Sequence, residues 1–153
     1  MDLTKIQIPE KNTESVFNSM RGVHVALRVP NYEASKNWYV EKLDFRVVHE
    51  WPFGDLQLAY LAPPNDDDFW IELLAGANPG PKDAYNDLNE SLHPSGYHHF
   101  CLNTNSVDET LLELKKRNVT IVGEPFDLPI IGKRLAFFAD IDGNLIELAE
   151  TLN

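Results

Sequence analysis

Val23-His24-Val25-Ala26-Leu27-Arg28-Val29 and Phe69-Trp70-Ile71-Glu72-Leu73-Leu74 have counterparts later in the chain, Tyr97-His98-His99-Phe100-Cys101-Leu102 and Gly143-Asn144-Leu145-Ile146-Glu147-Leu148. In each set a glutamate follows a histidine by 48 residues, and the second set repeats the first 75 residues on. Self-similarity at a fixed offset marks one supersecondary unit built twice. Each unit contributes one imidazole and one carboxylate from an apolar stretch of strand-like composition. Two histidines and two glutamates suit a divalent transition metal, because imidazole and carboxylate oxygen are both ligands for such ions. The bland alternative is a pair of core histidines and a pair of solvated glutamates, against which the matched offset argues.

Strand parity adds a test. With side chains alternating between faces, His24, Ala26 and Arg28 share one face while Val23, Val25, Leu27 and Val29 share the other. Glu72 is flanked by Ile71 and Leu73, and Glu147 by Ile146 and Leu148, so each predicted ligand has apolar neighbours on the opposite face. His98 falls on the helix-facing side by the same rule and is read as a buried or edge histidine rather than a ligand. Trp70 and Asn103 join the ligand face and are expected to line a substrate pocket. Arg28 lies four residues from His24, roughly 13 Å along a strand, where its guanidinium could hold a substrate carboxylate.

Around these strands the punctuation is regular. Asn31 is placed to cap a helix from about Tyr32 to Leu43, whose apolar stripe is Ala34, Trp38 and Tyr39. Strands follow over 45–51, 56–61 and 69–74. Residues 76–96 are rich in Gly and Pro, a connector long enough to contain a short helix around 83–92 or to drape over a site. Ser106 and Glu109 form a capping box before a helix that buries Val107, Leu111 and Leu114. Strands over 119–123, 133–139 and 144–150 complete the second unit. The expected organisation is an N-terminal arm (1–20), a first βαβββ module (21–75), the connector (76–96) and a second βαβββ module (97–153).

The four strands that carry His24, Glu72, His99 and Glu147 resemble the metal-ligand strands of the vicinal oxygen chelate superfamily (glyoxalase, bleomycin resistance protein, dioxygenase), and within it they look most like glyoxalase I, or lactoylglutathione lyase. The resemblance covers about residues 21–151. It implies an α+β fold in which two tandem βαβββ modules form a curved mixed sheet around a metal site. It also implies one divalent metal, whether Zn, Ni, Co, Mn or Fe, held by His24, Glu72, His99 and Glu147. The implied reaction is proton transfer on a small substrate with adjacent oxygens, through a metal-stabilised enediolate, with Glu147 as principal base and Glu72 its equivalent by the repeat. In glyoxalase I the arginine matching Arg28 binds the glutamyl carboxylate of glutathione. That family also carries Glu-Leu-x-x-Asn after its first metal glutamate, where this chain has Glu72-Leu73-Leu74-Ala75-Gly76. An epimerase or extradiol dioxygenase of the same superfamily, or a drug- or metabolite-binding resistance protein, are the alternative readings. Sites of this kind are often closed by a second subunit, so a homodimer is expected; whether one chain or two build the site is open at this point.

Composition narrows the partners. The chain has 153 residues, and 24 acidic against 13 basic side chains give a formal charge of −11, which argues against nucleic acid and anionic membrane surfaces. A single cysteine, Cys101, excludes an internal disulfide and fits a reducing compartment. With no long apolar run and no basic start followed by an apolar core, the cytoplasm is the expected location.

Overall fold

The computed structural model describes residues 6–152. The first module runs β1 (His24–Val29), α1 (Tyr32–Leu43), β2 (Arg46–Phe53), β3 (Leu56–Ala62) and β4 (Trp70–Ala75). A short helix in the connector, α2 (Leu88–Ser91), leads to β5 (His99–Asn103), α3 (Val107–Lys116), β6 (Thr120–Leu128), β7 (Lys133–Ala139) and β8 (Leu145–Thr151). The fold is α+β, two tandem βαβββ units as expected. Their strands form two four-stranded mixed sheets, ordered β1-β4-β3-β2 and β5-β8-β7-β6. In each sheet the histidine strand runs parallel to the glutamate strand and forms one edge, while the remaining pairings are antiparallel. An open edge with unpaired backbone groups is a ready surface for further strand contacts.

The helix-side faces of both sheets meet in one core. Leu27, Val29, Ile71 and Leu73 from the first sheet, and Phe138, Ile146 and Leu148 from the second, join Trp38, Tyr39, Leu111 and Leu114 of the helices in a single buried cluster. Alternation then sends His24 and Glu72, and likewise His99 and Glu147, to the other faces of their sheets. The two ligand-bearing faces therefore lie on the outside, with the common core between them.

Helix α1 starts as the sequence indicates, with the Asn31 side chain accepting from the Ala34 amide at 3.0 Å. Its buried positions are Ser35, Trp38 and Tyr39 rather than Ala34. The reason is that α1 packs against the β7–β8 turn of the second module as well as its own sheet. Ser35 donates to Asp142 at 2.5 Å and Tyr39 to Asp140 at 2.7 Å. Asp140 also accepts from the amides of Asp142 and Asn144, which fixes the turn that Gly143 completes at φ 81°. At the far end of α1, Asp44 takes a left-handed conformation and its carboxylate accepts from Arg117 at 2.9 Å. Polar contacts at both ends thus tie the modules together around the apolar core.

The arm before β1 makes local turns between 12 and 20; residues 1–5 of the expected arm lie outside the described residues. Ile8, Val16 and Phe17 on it are exposed. No helix among the described residues is long and apolar enough to cross a membrane.

Candidate metal centre

The repeat in the sequence becomes a repeat in geometry. In the first sheet His24 pairs with Trp70 and Ala26 with Glu72; in the second His99 pairs with Leu145 and Cys101 with Glu147. Each glutamate is thus two residues along the neighbouring parallel strand from its histidine, on the same face. His24 Nε2 stands 3.3 Å from Glu72 Oε2, and His99 Nε2 stands 3.3 Å from Glu147 Oε2.

That separation is longer than the 2.7–2.9 Å of a charge-assisted N–H···O bond. It matches the bite of two ligands on one ion. Donors each about 2.1 Å from a metal stand about 3.0 Å apart at a right angle and about 3.4 Å apart at a tetrahedral one. The donor chemistry and the spacing both fit a divalent transition ion. Within one chain the pairs stay apart, since no group of three or more histidine, cysteine, aspartate or glutamate side chains placed to hold a metal occurs among the described residues. The chain carries two separate His–Glu pairs on different sheets, each a candidate half-site.

Their surroundings differ. His24 faces an aromatic wall: its ring centroid is 5.4 Å from that of Tyr60, which in turn lies 4.6 Å from Trp51 and 5.2 Å from Trp70. Trp70 therefore lies beside the first half-site, as its parity implied. Tyr60, directly across from Glu72 on β3, and Trp51 on β2 are additions from the structure. Alternation within β3 was the available signal for Tyr60, but the register that sets it beside Glu72 is not written in a single strand.

The second half-site has a different setting. His99 meets Phe137 edge-on at 5.3 Å, and Phe137 forms an apolar patch with Leu135 and Ala149 on which Leu88 of the connector packs. The connector thus supplies a helix, as its length suggested, and that helix covers part of the ligand face. His98 does not enter the helix-side core as parity had implied, because it precedes β5 and escapes the alternation. Its ring bonds to His99, Nδ1 to Nδ1 at 2.7 Å, and to Ser91 Oγ through Nε2 at 2.9 Å. Burial and the neighbouring His99 hold the His98 imidazole below its ordinary pKa. Cys101 projects from the same face as Glu147. Desolvation and the Glu147 carboxylate push its thiol up to about 12, so it is a thiol and not a thiolate at neutral pH.

Arg28 and Asn103 sit farther out. The Arg28 guanidinium donates to the carbonyls of Leu74 at 2.7 Å and Val29 at 3.0 Å, and also to that of Gly76. It ties the ends of β1 and β4 to the start of the connector. Asn103, at the end of β5, lines a cavity of about 820 Å³ between the modules, together with Phe45, Phe69, Leu102, Arg117 and Phe138. None of the four predicted ligands lines that cavity.

Comparison with known proteins agrees with this architecture. Residues 21–148 match the model of the Glyoxalase/Bleomycin resistance protein/Dioxygenase superfamily. A Bacillus subtilis protein of uncharacterised role, YwkD, is 29% identical over 83% of this chain and 94% of its own length. The mitochondrial methylmalonyl-CoA epimerase of Homo sapiens is 26% identical over 90% of this chain and 78% of its own. The crystal structure of a glyoxalase family protein from Enterococcus faecalis superposes with a TM-score of 0.70 at 25% identity, covering 86% of this chain and 98% of that one.

Proposed function

Because the chain belongs to the glyoxalase/bleomycin resistance protein/dioxygenase superfamily, we propose that it is a metal-dependent enzyme of glyoxalase I type, one that moves a proton at a carbon next to two adjacent oxygens of a small substrate. Its site joins the His24–Glu72 pair of one chain to the His99–Glu147 pair of a second copy in a homodimer. The observation that carries this reading is the twinned His–Glu geometry, 3.3 Å in both modules. The placement of the two pairs on outer faces, each beside an open sheet edge, supports assembly from two copies.

His24, Glu72, His99 and Glu147 would hold Zn, Ni, Co, Mn or Fe as a divalent ion. Such an ion, when bound, supplies a Lewis acid toward two neighbouring substrate oxygens and so eases loss of the carbon-bound proton. The protein's own part is to position and to carry that proton. Glu147 serves as principal base, taking the proton at a carboxylate oxygen and returning it to the adjacent carbon. Trp70, Tyr60 and Trp51 form an apolar wall that keeps water from the reacting carbon, and the connector helix shields the other side.

A second reading, epimerisation, is favoured by one feature. Arg28, which matches the glutathione-binding arginine of glyoxalase I, is engaged with three backbone carbonyls, and the chain is similar to a methylmalonyl-CoA epimerase. Epimerisation returns the proton to the same carbon from the opposite side, for which Glu72 is the second carboxylate. The test is to load the protein with each metal in D2O and offer the glutathione–methylglyoxal hemithioacetal and, separately, a 2-methyl-branched acyl thioester. Thioester formation from the first identifies the glyoxalase type, and deuterium entry with racemisation in the second identifies the epimerase. Absence of carbon-proton exchange in both, with metal bound, contradicts the proton-transfer reading.

A further inference from the structure

The connector reaches the ring of His99 through Ser91 and His98. The inventory starts at the Leu88 carbonyl, which can only accept. Ser91 Oγ lies 2.6 Å from it and donates its single hydroxyl proton there. The same oxygen lies 2.9 Å from His98 Nε2 and, having spent its proton, can only accept from that nitrogen. His98 therefore carries its proton on Nε2. In a neutral ring this leaves Nδ1 with a lone pair, and that lone pair faces His99 Nδ1 at 2.7 Å. His99 Nδ1 must then be the donor. In the neutral ring its Nε2 is then left bare, 3.3 Å from a carboxylate oxygen of Glu147. Two acceptors facing each other at this distance call for a cation between them.

We propose that Ser91 and His98 are positioning residues that lock His99 in the Nδ1–H tautomer, so that its Nε2 lone pair is presented beside Glu147 before any metal arrives. The chain of donors runs His99, His98, Ser91, Leu88 carbonyl, and its anchor is itself well held. Asp87 accepts from the Glu90 amide at 3.0 Å, the Glu90 carboxylate accepts from the Asn86 amide at 2.9 Å, and the Leu88 side chain packs on the patch of Leu135, Phe137 and Ala149. Ser91 is 1% exposed, which keeps water from competing for its hydroxyl. The first module has no counterpart. Position 23 is a valine, and among the described residues no side chain bonds to His24 Nδ1. The two half-sites are therefore unequal: the second is preset for a cation and the first must adjust. A hydrogen-bonded partner on the non-ligating nitrogen is a general device for orienting a metal-binding histidine, and its loss typically weakens binding about 10- to 100-fold.

The metal part of this inference rests on the reading of His99 and Glu147 as ligands, whereas the tautomer stands independently of it. The experiment reads both. Nitrogen-15 NMR of the metal-free protein, above the imidazole titration range, assigns the proton of each histidine ring. The expected result is Nδ1–H for His99 and Nε2–H for His98, and Nε2–H on His99 overturns the proposal whether or not metal binds. Zinc and cobalt titrations then compare wild type with His98→Leu, His98→Asn and Ser91→Ala. His98→Leu should weaken binding by at least about 10-fold and shift His99 toward Nε2–H. His98→Asn keeps an acceptor oxygen for the His99 Nδ1–H and should recover most of the affinity, which a merely structural role would not allow. Unchanged affinity and tautomer in His98→Leu contradict the proposal. Should wild type bind neither ion, the ligand reading fails, and the His99 tautomer in wild type and His98→Leu still decides for or against the lock.

Discussion

The two half-sites repeat one another in backbone and in bite but not in what surrounds them. His24 and Glu72 stand against a tier of aromatic rings on an open sheet face, whereas His99 and Glu147 lie beside an aliphatic and phenyl patch that the connector helix partly roofs. Both pairs hold their nitrogen and oxygen 3.3 Å apart. The difference teaches that the repeat keeps both His–Glu pairs while the segments flanking them diverge. On the proposed function, one side would offer a wall for the substrate and the other a rigid seat for an ion. A single chain keeps the two pairs on opposite sides of its core, so the proposed shared site would form between two copies.

The largest expected effect breaks the equivalence of the glutamates. Glu147→Gln keeps an oxygen that can coordinate but removes the proton acceptor, so turnover per bound metal should fall at least about 100-fold. Glu72→Gln should lose less if Glu147 is the principal base. Turnover and metal content measured together separate the two, and equal losses would return the half-sites to equivalence.

A second variant tests a contact that ties the two modules together. Tyr39 is fully buried, and burial, followed by the Asp140 carboxylate, raises its phenol well above the ordinary range, so that it stays a donor to Asp140 at any ordinary pH. Tyr39→Phe withdraws one donor from a buried carboxylate and should reduce unfolding free energy by about 1–3 kcal/mol, read by denaturant titration. Loss of stability without loss of metal per folded chain would confirm that this contact serves the module packing and not the site.

Arg28→Ala should be milder. The guanidinium braces carbonyls at an exposed strand end, so a stability loss of about 1 kcal/mol is expected with little change in the Michaelis constant. A large rise in that constant for an anionic substrate, with stability unchanged, would instead give Arg28 the carboxylate-binding role that its place in the sequence suggested.

The smallest effect concerns pH. Desolvation raises the Asp142 carboxyl above its ordinary range, with Ser35 opposing. A raised carboxyl binds more protons folded than unfolded, so its contribution favours folding at low pH and is lost as pH rises above the ordinary carboxylate range and through the raised folded value. Asp142→Asn should therefore flatten this part of the stability profile, and any gain at neutral pH should disappear in acid. Chemical denaturation at several pH values measures it.

Much of this was legible in the sequence because a strand alternates with period two and a repeat doubles the signal. His24, Glu72, His99 and Glu147 fall on the predicted faces, and Asn31 and Ser106 cap the predicted helices. What escaped depends on register, on ends or on packing between units. Tyr60 comes beside Glu72 through the pairing of β3 with β4. His98 precedes its strand, so parity does not govern it. Ser35 is buried because α1 meets the acidic turn of the other module, which no local pattern records. The separation of the half-sites is a property of how two modules pack, and a pattern read within each module is blind to it.

The most direct test of a site shared between two copies is subunit complementation. One variant lacks the first pair (His24→Ala with Glu72→Ala) and the other lacks the second (His99→Ala with Glu147→Ala). Each homodimer alone should bind no tight divalent ion, because every shared site would be missing half its ligands. Mixing the two under conditions that exchange subunits should restore one intact site per heterodimer, seen as about one tightly bound cobalt or zinc ion and the return of proton-exchange activity. A heterodimer that forms but recovers neither metal nor activity would contradict the account.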